Sequence, residues 1–168
     1  MALIKLKEQR VVVLIDVQNL YHSAKNLYRS KVNFKEVLRK AISGRKLIRA
    51  FAYVVRTKTG EEKPFFEALT NLGIETRVRD LQEFYGGQKK ADWDVGIVID
   101  AIRIAPSVDA VVLVSGDGDF ISLVEYLKNQ GKRAEVIAFG RSASSKLKEV
   151  ADEFIDLGLH PEKSLLKK

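Results

Sequence analysis

The sequence predicts a three-layer α/β/α sandwich built on a mostly parallel central sheet. Two short β-branched runs, VVVLI at 11–15 and AVVLV at 110–114, lack the polar alternation of half-exposed strands and read as strands buried on both faces. Segments with helical periodicity follow them, and glycine or proline punctuates the joins. Strands alternating with helices in this way argue βα units with helices on both sides of the sheet.

Taken in order, the first strand ends at Asp16, and DVQNLYHSAKNLYRS then repeats Val17, Leu20, Ala24 and Leu27 at helical spacing. A second helix is expected in NFKEVLRKAISG, where Phe34, Val37, Leu38 and Ala41 share a face between an Asn33 cap and a stop at Gly44. KLIRAFAYVV reads as a strand, TKTGEEK as a polar loop, and PFFEALTNLG as a helix that opens on proline and closes on glycine. IETRVRD alternates Ile74, Thr76 and Val78 with Glu75, Arg77 and Arg79, which predicts a half-exposed strand with a basic face. Beyond a loop holding Gly86 and Gly87, DVGIVIDAIRIA is an almost wholly apolar helix, AVVLV a buried strand and FISLVEYLKNQG an amphipathic helix. AEVIAF is expected to be another strand, SASSKLKEVA a short helix and EFIDL a last strand. No repeat or linker interrupts the series, so residues 1–157 are expected to form a single domain followed by a loose basic tail over 158–168.

With 168 residues, 46% of them hydrophobic, the chain can bury a real core. It has no cysteine, which excludes disulfides and thiolate chemistry, and its two histidines, His22 and His160, are too few for a histidine-rich metal site. The start MALIKLKEQR has no apolar targeting core, and no stretch reaches the roughly 18 apolar residues of a membrane span. A cytoplasmic location without membrane contact is therefore expected. Lys and Arg number 29 against 22 Asp and Glu, a net charge of +7, which favours a polyanionic partner. The basic residues recur at Arg45, Lys46 and Arg49, at Arg77 and Arg79, at Lys89 and Lys90, at Arg141, Lys146 and Lys148, and at Lys163, Lys167 and Lys168. By itself, a solvated basic surface explains them equally well.

In VLVSGDGDF, residues 112–120, a core strand opens directly into Asp117 and Asp119, and Asp16 likewise ends the first strand. Open parallel sheets bind ligands outside the carboxyl ends of their strands, where strand order reverses. If these two strands are neighbours, the three carboxylates share one edge, and Asp94, opening the apolar helix, points to the same rim. Each has a local explanation as a cap or turn residue. Together they are costly to keep ionised without a positive charge among them. Oxygen-only donors suit Mg²⁺ or Mn²⁺ rather than zinc, and such a site supports attack of water on a phosphodiester. Gly116 and Gly118 would allow a tight turn and close approach of an anion, and Ser115 offers a hydroxyl. Asn19 shares the opening helical turn with Asp16; it either orients a water or a phosphate or simply faces solvent. Asp92 can be a cap, a ligand or a group behind the ligands. Asp100, six residues beyond Asp94, points about 120° away and about 9 Å further along, so it is expected behind the site, paired with Arg103.

The blocks LIDVQNL, KADWDVGIVIDAI and VVLVSGDGDF, in this order, make the chain resemble the NYN-domain proteins of the LabA-like family, relatives of the PIN-like nucleases, from about residue 10 to residue 157. The resemblance implies a PIN-like, Rossmann-like fold and a Mg²⁺- or Mn²⁺-dependent ribonuclease. It carries over Asp16 and Asn19 from the first block, Asp94 from the second, and Ser115, Asp117 and Asp119 from the third. The family's lysine, aspartate and later helical aspartate are matched by Lys90, Asp94 and Asp100, while ADWD leaves Asp92 and Asp94 both eligible for one role.

The leading expectation is thus a metal-dependent endoribonuclease. Asp16, Asp94, Asp117 and Asp119 would hold one or two divalent ions and act with Asn19 and Ser115, while Lys89 and Lys90 hold the RNA backbone. The alternative is a non-catalytic RNA-binding or regulatory module that retains the acidic pocket. Two other enzyme classes fit less well. A haloacid-dehalogenase-like phosphatase would want an aspartate two positions after Asp16, where Gln18 stands, and a dinucleotide-binding enzyme would want glycines in place of DVQNL. Tyr21, Tyr28, Tyr85 and Trp93 could stack bases, core packing being the more ordinary role. The expected partners are RNA and, in a homo-oligomer, a second copy of the chain.

Overall fold

The computed structural model describes residues 5–83, 89, 90 and 92–167. In chain order the elements are β1 (Arg10–Asp16), α1 (Val17–Tyr28), α2 (Phe34–Ile42), β2 (Lys46–Arg56), α3 (Lys63–Asn71), β3 (Glu75–Asp80), β4 (Gln82–Glu83), β5 (Lys89–Lys90), α4 (Asp94–Ile104), β6 (Ala110–Val114), α5 (Ile121–Asn129), β7 (Arg133–Ala138), α6 (Ser145–Val150), β8 (Glu153–Asp156) and α7 (Pro161–Ser164). Six strands form one sheet in the order β3-β2-β1-β6-β7-β8, every neighbouring pair parallel. The chain winds outward from β1 to β3, returns to lay β6 against β1 in the register Val11↔Ala110 to Ile15↔Val114, and winds outward again. Strand order therefore reverses between β1 and β6, the two strands that lead into Asp16 and Ser115. Within the loop expected around Gly86 and Gly87, β4 and β5 pair antiparallel, Gln82 opposite Lys90 and Glu83 opposite Lys89.

Both faces of the sheet are covered, as the unbroken apolar strands require. Val13, Ile15, Val112 and Val114 pack with Leu20 and Ala24 of α1, Val37 and Ala41 of α2 and Leu69 of α3. The alternate residues Val12, Leu14, Val111 and Leu113 pack with Ile97 and Ala101 of α4, Leu123 and Leu127 of α5 and Leu147 of α6. Burying each large aliphatic side chain is worth about 1.5–3 kcal/mol, so a one-residue slip of β1 would misplace the whole set. The caps are also as the sequence suggests: Asn33 accepts the Glu36 N–H at 3.3 Å to start α2.

Two expectations need correction. The chain beyond Gly158 is not a loose tail. It forms α7, the Asn33 N–H donates to the Ser164 carbonyl at 2.8 Å, Val32 bridges Leu165, and Ser164 is buried. Leu165 packs on the α1/α2 core, which local polarity does not reveal. Arg45 is not a surface cation. Its guanidinium grips Glu135 of β7 at 2.7 and 2.9 Å with both side chains wholly buried, and it donates to the Ala41 and Ile42 carbonyls that end α2. The helix α4 buries only Ile97 and Ala101, leaving Val95 71% exposed and Ile99 and Ile102 on the surface. In the loop after β6, neither Gly116 nor Gly118 adopts a left-handed backbone. Gly116 is needed because a Cβ there would lie 2.9 Å from Ala143.

Candidate metal centre

The site starts from the reversal point. Asp16 ends β1 in an extended conformation and caps α1, its Oδ1 accepting the Asn19 N–H at 3.2 Å. Its Oδ2 accepts the Ser115 hydroxyl at 3.0 Å, and Ser115, wholly buried, accepts the Asp117 N–H at 3.2 Å. Asn19 does not merely face solvent: its Oδ1 accepts the Gly116 N–H at 2.9 Å, tying the first turn of α1 to the loop after β6. Asp117 in turn accepts the Asp119 N–H at 2.9 Å and starts the single 3₁₀ turn Gly118–Phe120 that leads into α5. These short local bonds set where each carboxylate is placed.

Asp94, in the first turn of α4, meets the same loop. Asp94, Asp117 and Asp119 each offer an oxygen, and these atoms all lie within 4.8 Å of one another. Asp16 lies outside this group of three: it is buried, its Oδ1 accepting the Asn19 N–H and its Oδ2 the Ser115 hydroxyl, and its charge is felt at Asp94. Burial pushes the Asp94 carboxyl up to about 7, helped by its hydrogen bond with the Asp92 carboxylate and by the charges of Asp92, Asp117 and Asp16. Burial also raises Asp16; the Asn19 N–H and the Ser115 hydroxyl oppose the rise, and the charges of Asp117 and Asp92 add to it. Upward shifts from burial and from neighbouring negative charge are both relieved by a cation. Three hard oxygen donors with no nitrogen or sulfur fit Mg²⁺ or Mn²⁺.

Of the two ADWD carboxylates, Asp94 is the one in the group of three. Asp92 is exposed, its Oδ1 accepting the Asp94 N–H at 2.6 Å just ahead of α4, while its carbonyl accepts from Arg79. Trp93 donates Nε1–H to the Val54 carbonyl at 2.9 Å, packs against Tyr53 and lies under the Arg79 guanidinium. Asp100 is paired with Arg77 at 3.3 Å and accepts the Tyr53 hydroxyl at 2.8 Å, where the sequence suggested Arg103. It thus anchors α4 to β2 and β3. Lys89 and Lys90 form β5, but their side chains, like Tyr85, lie outside the described residues. Tyr28 packs on Phe139, so among the described candidates for base stacking Tyr21 is the exposed tyrosine. Sequence reasoning missed that Arg49 and Arg77 both stack on Phe51, at 4.4 and 4.8 Å. The basic alternation in β3 hinted at Arg77, but nothing local announces its aromatic partner.

A parallel sheet with this strand order, carrying carboxylates on both sides of its reversal point, defines a doubly wound α/β domain whose crevice lies at the carboxyl ends of β1 and β6. Residues 10–159 match the NYN domain, and the chain belongs to that family. It is 30% identical to the low amplitude and bright protein LabA of Synechococcus elongatus over 66% of this chain and 63% of that protein. It is 26% identical to an uncharacterized protein of Methanocaldococcus jannaschii over 90% of this chain and 56% of that one. The chain thus spans less than two thirds of the length of either curated relative. Among solved structures, a protein of unknown function from Vibrio parahaemolyticus superposes with a TM-score of 0.87 at 33% identity, covering 98% of this chain and 100% of that one.

Proposed function

We propose that this chain is a cytoplasmic, metal-dependent endoribonuclease that hydrolyses RNA phosphodiester bonds. The convergence of Asp94, Asp117 and Asp119 within 4.8 Å at the reversal point of the sheet is the observation that supports it most directly. Kinship with the PIN-like nucleases and the net charge of +7 agree with an RNA substrate. Asp94, Asp117 and Asp119 would hold Mg²⁺ or Mn²⁺, and the bound ion would supply charge stabilisation at the phosphate and a more acidic water. Asp16 contributes negative charge and, through Ser115 and Asn19, keeps the loop that carries Asp117 and Asp119 in place. At Asp94, raised to about 7, a cation would compete with protons near neutral pH. Lys89 and Lys90, just before α4, would contact the RNA backbone.

The test is Asp117→Asn, assayed on labelled single-stranded RNA with Mn²⁺. Asparagine keeps an oxygen to accept the Asp119 N–H, so the fold should hold by circular dichroism while cleavage falls about 100-fold or more. Undiminished cleavage by this variant rejects the assignment. RNA binding without turnover by the unmodified protein points instead to a regulatory module.

A further inference from the structure

We infer that a basic groove along the outer face of α1 binds the single-stranded RNA flanking the carboxylate site; the inference rests on the proposed RNA substrate and extends it to a second contact surface. The groove measures about 910 Å³ and is lined by Tyr21, Lys25, Asn26, Arg29, Lys31 and Lys167 among others, with no carboxylate among the described lining residues. Four cations with no anion between them form the electrostatic footprint of a phosphate backbone. Tyr21 is 49% exposed, and the Lys25 ammonium sits 5.7 Å from its ring centroid. An exposed ring beside a cation is what a base needs for stacking while its phosphate is neutralised.

The helix itself connects the groove to the site. Gln18, Tyr21, Lys25 and Arg29 recur at three- and four-residue spacing, so they line up on one side of α1 from its first turn beside Asp16. At the helical rise, Lys25 lies about 13 Å and Arg29 about 20 Å along the axis from Asp16, a span of several nucleotides. Arg29 ends α1 with φ of 50°, a left-handed conformation in which glycine would be unstrained, and its side chain lines the groove. The C-terminal segment completes the wall: the Leu166 N–H donates to the Lys31 carbonyl at 2.8 Å, which brings Lys167 alongside.

The experiment measures binding of a fluorescent single-stranded oligoribonucleotide by anisotropy, in EDTA and over a range of salt. The full chain is compared with Lys25→Gln/Arg29→Gly/Lys31→Gln. With three phosphate-binding cations removed, affinity should fall about 10-fold or more, and the slope of log affinity against log salt should become shallower by about 2. Tyr21→Ala should weaken binding about 5-fold or more with the salt slope unchanged. Arg29→Gly relieves the left-handed strain, so its melting temperature should hold or rise, and its loss of binding cannot be put down to misfolding. Lys7→Gln/Lys46→Gln/Arg103→Gln removes the same charge from exposed residues elsewhere and should lose far less affinity. Equal affinity and salt slope in the groove variant, or an equal loss in the control, overturns the inference. So does a groove variant that loses binding to anionic vesicles but not to RNA. Because EDTA removes any cleavage, failure of the nuclease assignment leaves this measurement readable.

Discussion

Asp94 favours its proton because burial, the Asp92 carboxyl and the charges of Asp117 and Asp16 all oppose its ionisation. A carboxyl that titrates near 3.8 when unfolded and near 7 when folded binds more protons in the native state between those values. Stability therefore falls as pH rises across that window and stays lower above it. Carboxylates held down by cations act in the opposite sense at lower pH. Hydrogen bonds from Arg10 bring Asp109 down to about 2, and bonds from Arg45 and Arg133 lower Glu135 despite its burial. Their contributions are lost as pH falls below about 4.5 and so leave the higher window clear. In chelator, the melting temperature of the protein is expected to drop between pH 5 and pH 8, and Asp94→Asn, which cannot ionise, should flatten the profile. Added Mn²⁺ should raise the melting temperature more at pH 8 than at pH 5, because fewer protons compete for the cluster. Calorimetry at the two pH values decides both points, and matching profiles for variant and wild type would count against the cluster as the source.

Among the elements, the join of α2 to β7 carries the largest electrostatic stake. Arg45 closes α2 by donating to its last carbonyls and spans to Glu135 in the middle layer, where Arg133 adds a hydrogen bond at 2.6 Å. Removing Glu135 would leave Arg45 charged and buried without its main partner. Glu135→Ala is expected to destabilise the fold by about 3–5 kcal/mol in urea unfolding, whereas replacing both partners with apolar residues should recover much of the loss. At the other end of the strands, the loop from Ser115 to Phe120 is tethered on both sides. Asn19 takes the Gly116 N–H, and the Gly116 carbonyl accepts the Ser144 N–H at 2.9 Å from the cap of α6. The carboxylates are therefore carried by a loop that α1 and α6 hold in position. This preorganisation suits a site whose oxygens must converge before any ligand arrives.

At the scale of the whole molecule, we propose that the chain through Leu166 is one folding unit. Residues 157–166 return beside α1 and α2, where Leu165 pairs with Val32 and Ser164 supplies the acceptor for the Asn33 N–H. A truncation before His160 should cost about 1–3 kcal/mol in a single urea transition, since it uncovers apolar surface and orphans a backbone donor. An unchanged midpoint would restore the picture of a loose tail. The order of strands and helices, the Asn33 cap, the end-of-strand carboxylates and the family motifs were all legible in the chain, because periodicity and capping depend on neighbours within about four residues. That β6 lies beside β1 had to be assumed, and with it the convergence of Asp94, Asp117 and Asp119. That Asp16 turns inward to Ser115, that Asp100 meets Arg77 rather than Arg103, and that Arg45 reaches Glu135, 90 residues away, left no local mark. Those pairings follow from how crossover helices bury their apolar faces against the sheet, and residues distant in sequence meet only once that packing has formed.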